Sequence, residues 1–336
     1  MIPVIEIAPL FDADSSEWTG ADAELSAAAR DIGFVSLRGL PRDLAPHAGR
    51  RAGLLRVFAL EESAKRCLFR RKFAPENRNV YRGWFPLQPG HLTFKEGLDL
   101  GGDVAYGPAL TRPGDPLREE TPLPAEEDLP DWRRAVAAYY RAMEHLAAVL
   151  MRSIARSLQL PQEYFDSYFH HGLSTLRLIR YPPRREPELA RMADPALWVD
   201  APAKGGYLVG AAHTDSGFLT LLEQDEVGGL QVRSRDGRWL DVPALEDTVV
   251  VNFGQVLEQW SAGRIRATEH RVLGRGRERH SIAFFYEARA EATIAPLPLD
   301  SPDSFEPFQY GDFLWKRITS FVEFRGLEHE RTPATR

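Results

Sequence analysis

The chain is poor in several things that would each point to a class of protein. It has one cysteine, Cys67, in 336 residues. A disulfide framework and a cysteine-based zinc site within the chain are therefore excluded, and a reducing, cytoplasmic setting fits. Lysine is scarce: only Lys65, Lys72, Lys95, Lys204 and Lys316 occur, so basic charge rests almost wholly on arginine. The formal net charge is −6. That balance disfavours a protein held to DNA, RNA or an acidic membrane by bulk charge, because phosphate binding needs a basic face. No apolar run approaches the roughly 18 residues of a membrane-spanning helix. The opening Met1–Phe11 lacks a basic flank and is interrupted by Glu6, so it does not read as a signal peptide. Internal repeats are missing, which removes solenoids and propellers. What remains, 43% apolar and 27% charged residues, is an ordinary globular mixture long enough to bury a large core.

Short strands are expected at Val4–Ile7 and Phe34–Leu37, with an amphipathic helix at Ala21–Ile32 and a second helical stretch at Arg50–Cys67. The Gly- and Pro-rich segment from Phe73 to Arg112, with its cluster Tyr81–Pro86, reads as a long ordered loop. Val136, Tyr139, Tyr140, Met143, Leu146, Ala147 and Leu150 recur at helical spacing and predict a long helix over Asp131–Leu158. After Leu173 the pattern turns to strands: Ser174–Tyr181, Tyr207–His213, Phe218–Gln224, Leu230–Arg233, Thr248–Phe253, Ala267–Val272, Ser281–Tyr286 and Ala292–Ile294. Turn chemistry at Gly217, Gly228-Gly229, Asp236-Gly237 and Arg275-Gly276 punctuates them, as in a sandwich, jelly roll or barrel. Tyr310–Phe324 returns to a helical pattern. The expectation is a mainly β protein with flanking helices, working as one unit. It comprises an N-terminal α/β region (1–120), a support helix (121–170), a β core (171–296) and a C-terminal helical segment (297–336).

The chemistry concentrates on His213-Thr214-Asp215. On a strand, residues i and i+2 share a face, so the imidazole of His213 and the carboxylate of Asp215 aim at one point as two adjacent ligands for a divalent metal. Such a pair alone is a weak signal. His270, in Ala267–Val272, offers a third ligand from another strand. Two histidines and one carboxylate on one side of a metal form the facial triad of non-haem Fe(II) oxygenases, with the other positions open. Nine residues on, Arg279 and Ser281 share a strand face by the same rule, and a guanidinium beside a hydroxyl makes a carboxylate receptor.

Taken in order, His213-x-Asp215, His270-Arg271-Val272 and Arg279-x-Ser281 resemble the signature of the 2-oxoglutarate/Fe(II)-dependent dioxygenases, in the isopenicillin N synthase-like branch. Ile2–Leu10, Ala29–Phe34, Asp225–Val232 and Val251–Gly254 are similar to further segments of that family, so the likeness spans most of the chain. The resemblance implies a double-stranded β-helix (jelly-roll) core with Fe(II) in its mouth, held by His213, Asp215 and His270. It implies that 2-oxoglutarate chelates the iron and lays its far carboxylate on Arg279 and Ser281. Tyr181 occupies the position where related enzymes use a tyrosine for this cosubstrate, and Arg177, on the same strand face, is set to reach its C1 carboxylate. The implied reaction consumes O2, releases succinate and CO2, and oxidises a small molecule, with hydroxylation favoured over ring closure or desaturation. The carboxylate at Asp215 occupies the position that a halogenase leaves vacant, so halogenation is disfavoured.

Two other readings stay open at this point. One is an oxidase of the isopenicillin N synthase type, which uses Fe(II) and O2 without 2-oxoglutarate and turns the arginine to its substrate. The other is a jelly-roll metal- or ligand-binding protein without turnover. Gln255 stands where many relatives carry aspartate after Asn-x-Gly, a change expected to touch local packing. Tyr81–Phe85, Tyr207, Phe285 and Lys95–Gly101 are candidates for the substrate wall, and Arg180 for a substrate carboxylate. A small-molecule substrate, no nucleic acid, no membrane and no obligate protein partner are expected, with a monomer as default.

Overall fold

Alternation of large apolar side chains along short strands builds two sheets that face each other. The structure is a computed structural model, which describes residues 1–12, 18–185, 189, 197–199, 206–300, 304–321 and 324–332. Its strands are β1 (Val4–Glu6), β2 (Phe34–Arg38), β3 (Gly83–Phe85), β4 (Glu96–Leu100), β5 (Thr175–Tyr181), β6 (Tyr207–His213) and β7 (Leu219–Gln224). There follow β8 (Leu230–Arg233), β9 (Trp239–Asp241), β10 (Val249–Phe253), β11 (His270–Gly274), β12 (Arg279–Tyr286), β13 (Thr293–Ile294) and β14 (Phe308–Gln309). The larger sheet runs β1-β2-β10-β7-β12-β5-β4-β3, the smaller β6-β11-β8-β9, and β13 pairs with β14. Among these strands of the described residues, only β1 and β2 pair in parallel. This is a jelly-roll core with flanking helices.

The period of two sorts each strand's side chains between two apolar interiors. On β12, Ile282, Phe284 and Tyr286 join the larger cluster, which packs under the helices, whereas Ala283 joins a second cluster between the sheets. On β5, Leu176 and Leu178 go to the helices, and Ile179 and Tyr181 to the inter-sheet chamber. On β10, Val249, Val251 and Phe253 face the helices, and Val250 the chamber. The smaller sheet closes that chamber with Tyr207, Val209, Leu230, Val232 and Val272.

The long helix Trp132–Ser157 lies on the outer face of the larger sheet and buries Val136, Tyr139, Tyr140, Met143, Leu146, Ala147 and Leu150. Each large side chain removed from water there contributes about 1.5–3 kcal/mol. This layer is the scaffold, and it leaves the inner faces of β5, β7, β10 and β12 for chemistry.

Strand placement follows the sequence pattern closely for β5 to β8, β10, β12 and β13. Outside the residues of the candidate site, three expectations need correction. Arg50–Cys67 is broken into Ala48–Leu55, a 3-10 turn at Arg56–Ala59 and Glu62–Arg66. Residues 73–112 contain β3, β4 and the short helix Asp103–Tyr106, because Trp84, Phe85, Leu98 and Leu100 extend the larger sheet beyond β5. The C-terminal helix stops at Ile318.

Candidate metal centre and active site

His213 ends β6, His270 begins β11, and the two are directly paired in the small sheet. Their rings stand 4.4 Å apart between centroids. Asp215 Oδ1 lies 3.6 Å from His213 Nε2 and 3.7 Å from His270 Nε2. One ligand atom from each of the three residues falls within 4.8 Å of the others, the spacing of donors around one ion. Asp215 lies past the end of β6, so strand alternation is not what aims it. Nor does a strand start at Ala267; β11 opens on His270 itself.

Hydrogen bonds on the far side of each donor fix its aim. His213 Nδ1 donates to the Ala211 carbonyl at 2.8 Å, and His270 Nδ1 donates to the Thr268 carbonyl at 3.1 Å. A carbonyl only accepts, so both rings carry a proton on Nδ1 and turn Nε2 inward. Thr220 Oγ1 and Asn252 Nδ2 both donate to Asp215 Oδ2, at 2.6 and 2.7 Å, which leaves Oδ1 for the centre. These two donors are register partners on β7 and β10. Phe34 packs its ring against that of His270 at 5.4 Å.

Electrostatics shift two of the three groups, His213 and Asp215. Protein packed around the ring strips part of its hydration and brings the His213 pKa down to about 4 even though one edge stays open, helped by the neighbouring His270. Burial alone raises the Asp215 carboxyl, but the two imidazoles and the Thr220 and Asn252 hydrogen bonds outweigh it and bring the group down to about 2. A neutral imidazole beside an ionised carboxylate is the state that binds a divalent ion. His213 is the open side of the cluster, 42% exposed, against 12% for Asp215 and 10% for His270.

Across the chamber, Arg279 and Ser281 are buried on the inner face of β12. Arg279 Nε donates to the Gly228 carbonyl at 2.7 Å, and Nη1 donates to Ser281 Oγ at 3.2 Å. Tyr181 pairs with Arg279 in register and lies beneath its guanidinium, 4.8 Å from ring centroid to carbon. Arginine, serine and tyrosine thus form one polar corner in an otherwise apolar interior.

Arg177 shares the inner face of β5 with Tyr181, and its guanidinium makes a bidentate pair with Asp99 at 2.6 and 2.7 Å. Its plane lies between Phe85 and Phe285, each 5.3 Å away. Arg180 points outward to Glu96 and Glu278. Tyr81 belongs to the helix-side core, where its hydroxyl meets Thr175, whereas Tyr207 belongs to the chamber. Sequence patterns do not single out Thr220 and Asn252 as site residues. Asn252 stands inside a family-like segment that could have marked it, and Thr220 carries no local signal.

The matches to known proteins agree with this geometry. The model of the 2OG-Fe(II) oxygenase superfamily matches residues 172–288. The 2-oxoglutarate-dependent dioxygenase citB of Monascus ruber is 30% identical over 310 residues, covering 88% of this chain and 87% of its own. The chain belongs to the 2OG-Fe(II) oxygenase superfamily. The isopenicillin N synthase of Streptomyces clavuligerus is 29% identical across 97% of both chains. A full-length Neurospora crassa protein, solved in complex with alpha-KG and 5-formyluracil, superposes with a TM-score of 0.77 at 25% identity, covering 95% of this chain and 96% of that one. Members of this superfamily share the double-stranded β-helix, and the present chain is a 2-oxoglutarate-dependent Fe(II) dioxygenase with O2 as its other cosubstrate. Its residues fit such an ion: two imidazole nitrogens and one carboxylate oxygen converge from one side, and each is oriented from behind.

Proposed function

We propose that His213, Asp215 and His270 hold the Fe(II), and that Arg279, Ser281 and Tyr181 receive the far carboxylate of 2-oxoglutarate. The observation that carries this reading is the pairing of a three-donor cluster with a buried guanidinium–hydroxyl corner in one chamber. Bound there, the iron supplies O2 activation coupled to decarboxylation of 2-oxoglutarate, which yields succinate and CO2 and oxidises a substrate C–H bond. The protein's share is positional. Thr220 and Asn252 keep Asp215 Oδ1 turned inward, so the carboxylate takes one coordination position. Gly228 and Ser281 hold the Arg279 fork in a plane before the cosubstrate arrives, which lowers the ordering cost of binding. Arg177, fixed by Asp99, sets a positive charge on the same face of β5 for the C1 carboxylate. The apolar walls of Tyr207, Val209 and Val272 exclude water from the chamber.

The substrate in this reading is a small molecule, hydroxylated beside Phe285 and the open edge of His213. No helix of the described residues is long and apolar enough to cross a membrane. A cytoplasmic monomer working as one unit, its N-terminal region wrapped on the core, completes the proposal.

An anaerobic titration with Fe(II) and 2-oxoglutarate tests the assignment. A metal-to-ligand charge-transfer band is expected in the wild type and is lost in Asp215→Ala. Arg279→Lys, which gives up the planar fork, raises the 2-oxoglutarate concentration needed for half the band about tenfold or more. Iron binding without a band would overturn the cosubstrate assignment and return Arg279 to the substrate's own carboxylate.

A further inference from the structure

The loop that carries Asp215 is fastened from the C-terminal side of the chain. Four backbone amides close on it: Gln255 N donates to the Asp215 carbonyl at 2.8 Å, Val256 N to Ser216 and Gly217 at 3.1 Å, and Gly254 N to Phe218 at 2.7 Å, with Leu257 N reaching Gly217 at 3.4 Å. The helix Tyr310–Ile318 then touches this assembly at both of its ends. At its start, the Tyr310 hydroxyl donates to Glu287, whose carboxylate lies against Gly217, and the Tyr310 ring packs on Phe218 at 5.0 Å. In its last turn, Arg317 Nη2 donates to Gln255 Oε1 at 2.7 Å and Nε donates to Ser216 Oγ at 3.3 Å. Arg317 thus bridges the residue after the carboxylate ligand and the residue whose amide holds that ligand's carbonyl.

We propose that Arg317 is a positioning residue for the metal: through Ser216 and Gln255 it sets the backbone of Asp215 and thereby the affinity of the site for its ion. The inference rests on the triad being the metal site. It also gives a use to Gln255. A side-chain carbonyl accepts one arm of the guanidinium without neutralising it, and the other arm stays committed to Ser216. An aspartate in its place would draw the guanidinium into a charge pair of its own.

The test is a Co(II) titration of the metal-free full-length protein, followed by the visible absorption of the bound ion, alongside far-ultraviolet circular dichroism and thermal unfolding. Arg317→Ala is expected to weaken Co(II) binding severalfold, below the tenfold or more expected for a direct partner of the ligand because Arg317 acts through Ser216 and Gln255, with secondary structure unchanged. Ser216→Ala, which removes one arm and little volume, should weaken it less, and Arg317→Lys should recover part of the loss. Should Arg317→Ala unfold the chain, Ser216→Ala and Arg317→Lys decide the matter alone. Metal affinity within twofold of wild type in the folded variants would overturn the proposal. If wild type and Asp215→Ala bind Co(II) equally, the triad assignment itself fails, and the bracing role with it.

Discussion

Asp215 has two oxygens and two tasks, and its neighbours divide them. Thr220 and Asn252 occupy Oδ2, so only Oδ1 is presented to the centre. Thr220→Val and Asn252→Ala keep all three ligands and remove one donor each. Either is expected to reduce metal affinity by about 10–100-fold, measured by the same Co(II) titration, with the fold intact. A second carboxylate, Asp99, is fully buried and shared by Arg70 and Arg177. Burial raises its pKa, and the two guanidiniums more than reverse that, so it stays ionised. Asp99→Asn withdraws the charge that both arginines share and should cost about 3–5 kcal/mol in denaturant unfolding, because breaking a buried pair leaves its partners uncompensated.

At the level of elements, β10 carries the division between scaffold and chemistry. Val249, Val251 and Phe253 face the helices while Asn252, between the last two, bonds Asp215. The turn after β10 is equally close-fitting: a methyl on Gly254 would collide with the Gly217 backbone of the Asp215 loop. Gly254→Ala should therefore lower both the melting temperature and metal affinity. Beneath that loop, burial and the nearby charge of Asp215 raise the Glu287 carboxyl to about 8, against the Tyr310 hydrogen bond that lowers it. The folded protein then holds a proton that the unfolded chain releases above its ordinary carboxyl value. Stability from this group is full below about 4.5 and falls as pH rises to about 8. Glu287→Gln, uncharged throughout, should flatten the decline of melting temperature between about pH 5 and 8.

The same elements show what a sequence exposes. A period-two run such as Leu230–Arg233 is legible because one of its faces is buried, and His213, Asp215 and His270 are legible as donor types in a familiar order. Asp215 lies beyond its strand, however, and its aim depends on Thr220, Asn252 and Gln255, which the pairing of separate strands and a helix start brings to it. β3 and β4 hide among glycines and prolines, since their strand character comes from a neighbour, β5, some 80 residues further on. Arg317 carries no signal at all, being one arginine on an amphipathic helix.

For the whole molecule, the chamber between two sheets makes ligands and fold interdependent. Metal and 2-oxoglutarate at about 100 times their dissociation constants should each add about 2.7 kcal/mol to stability, seen as a thermal shift absent in Asp215→Ala. The closing of the larger sheet has a further consequence in time. β2 pairs with β10, partners about 200 residues apart, and Thr268 beside His270 is tied to Ile32. Contacts of such long sequence separation form late. A chain emerging from the ribosome therefore carries His213 and Asp215 into solvent before Asn252 and His270 follow, so the proposed three-donor cluster is complete only once β11 has been made.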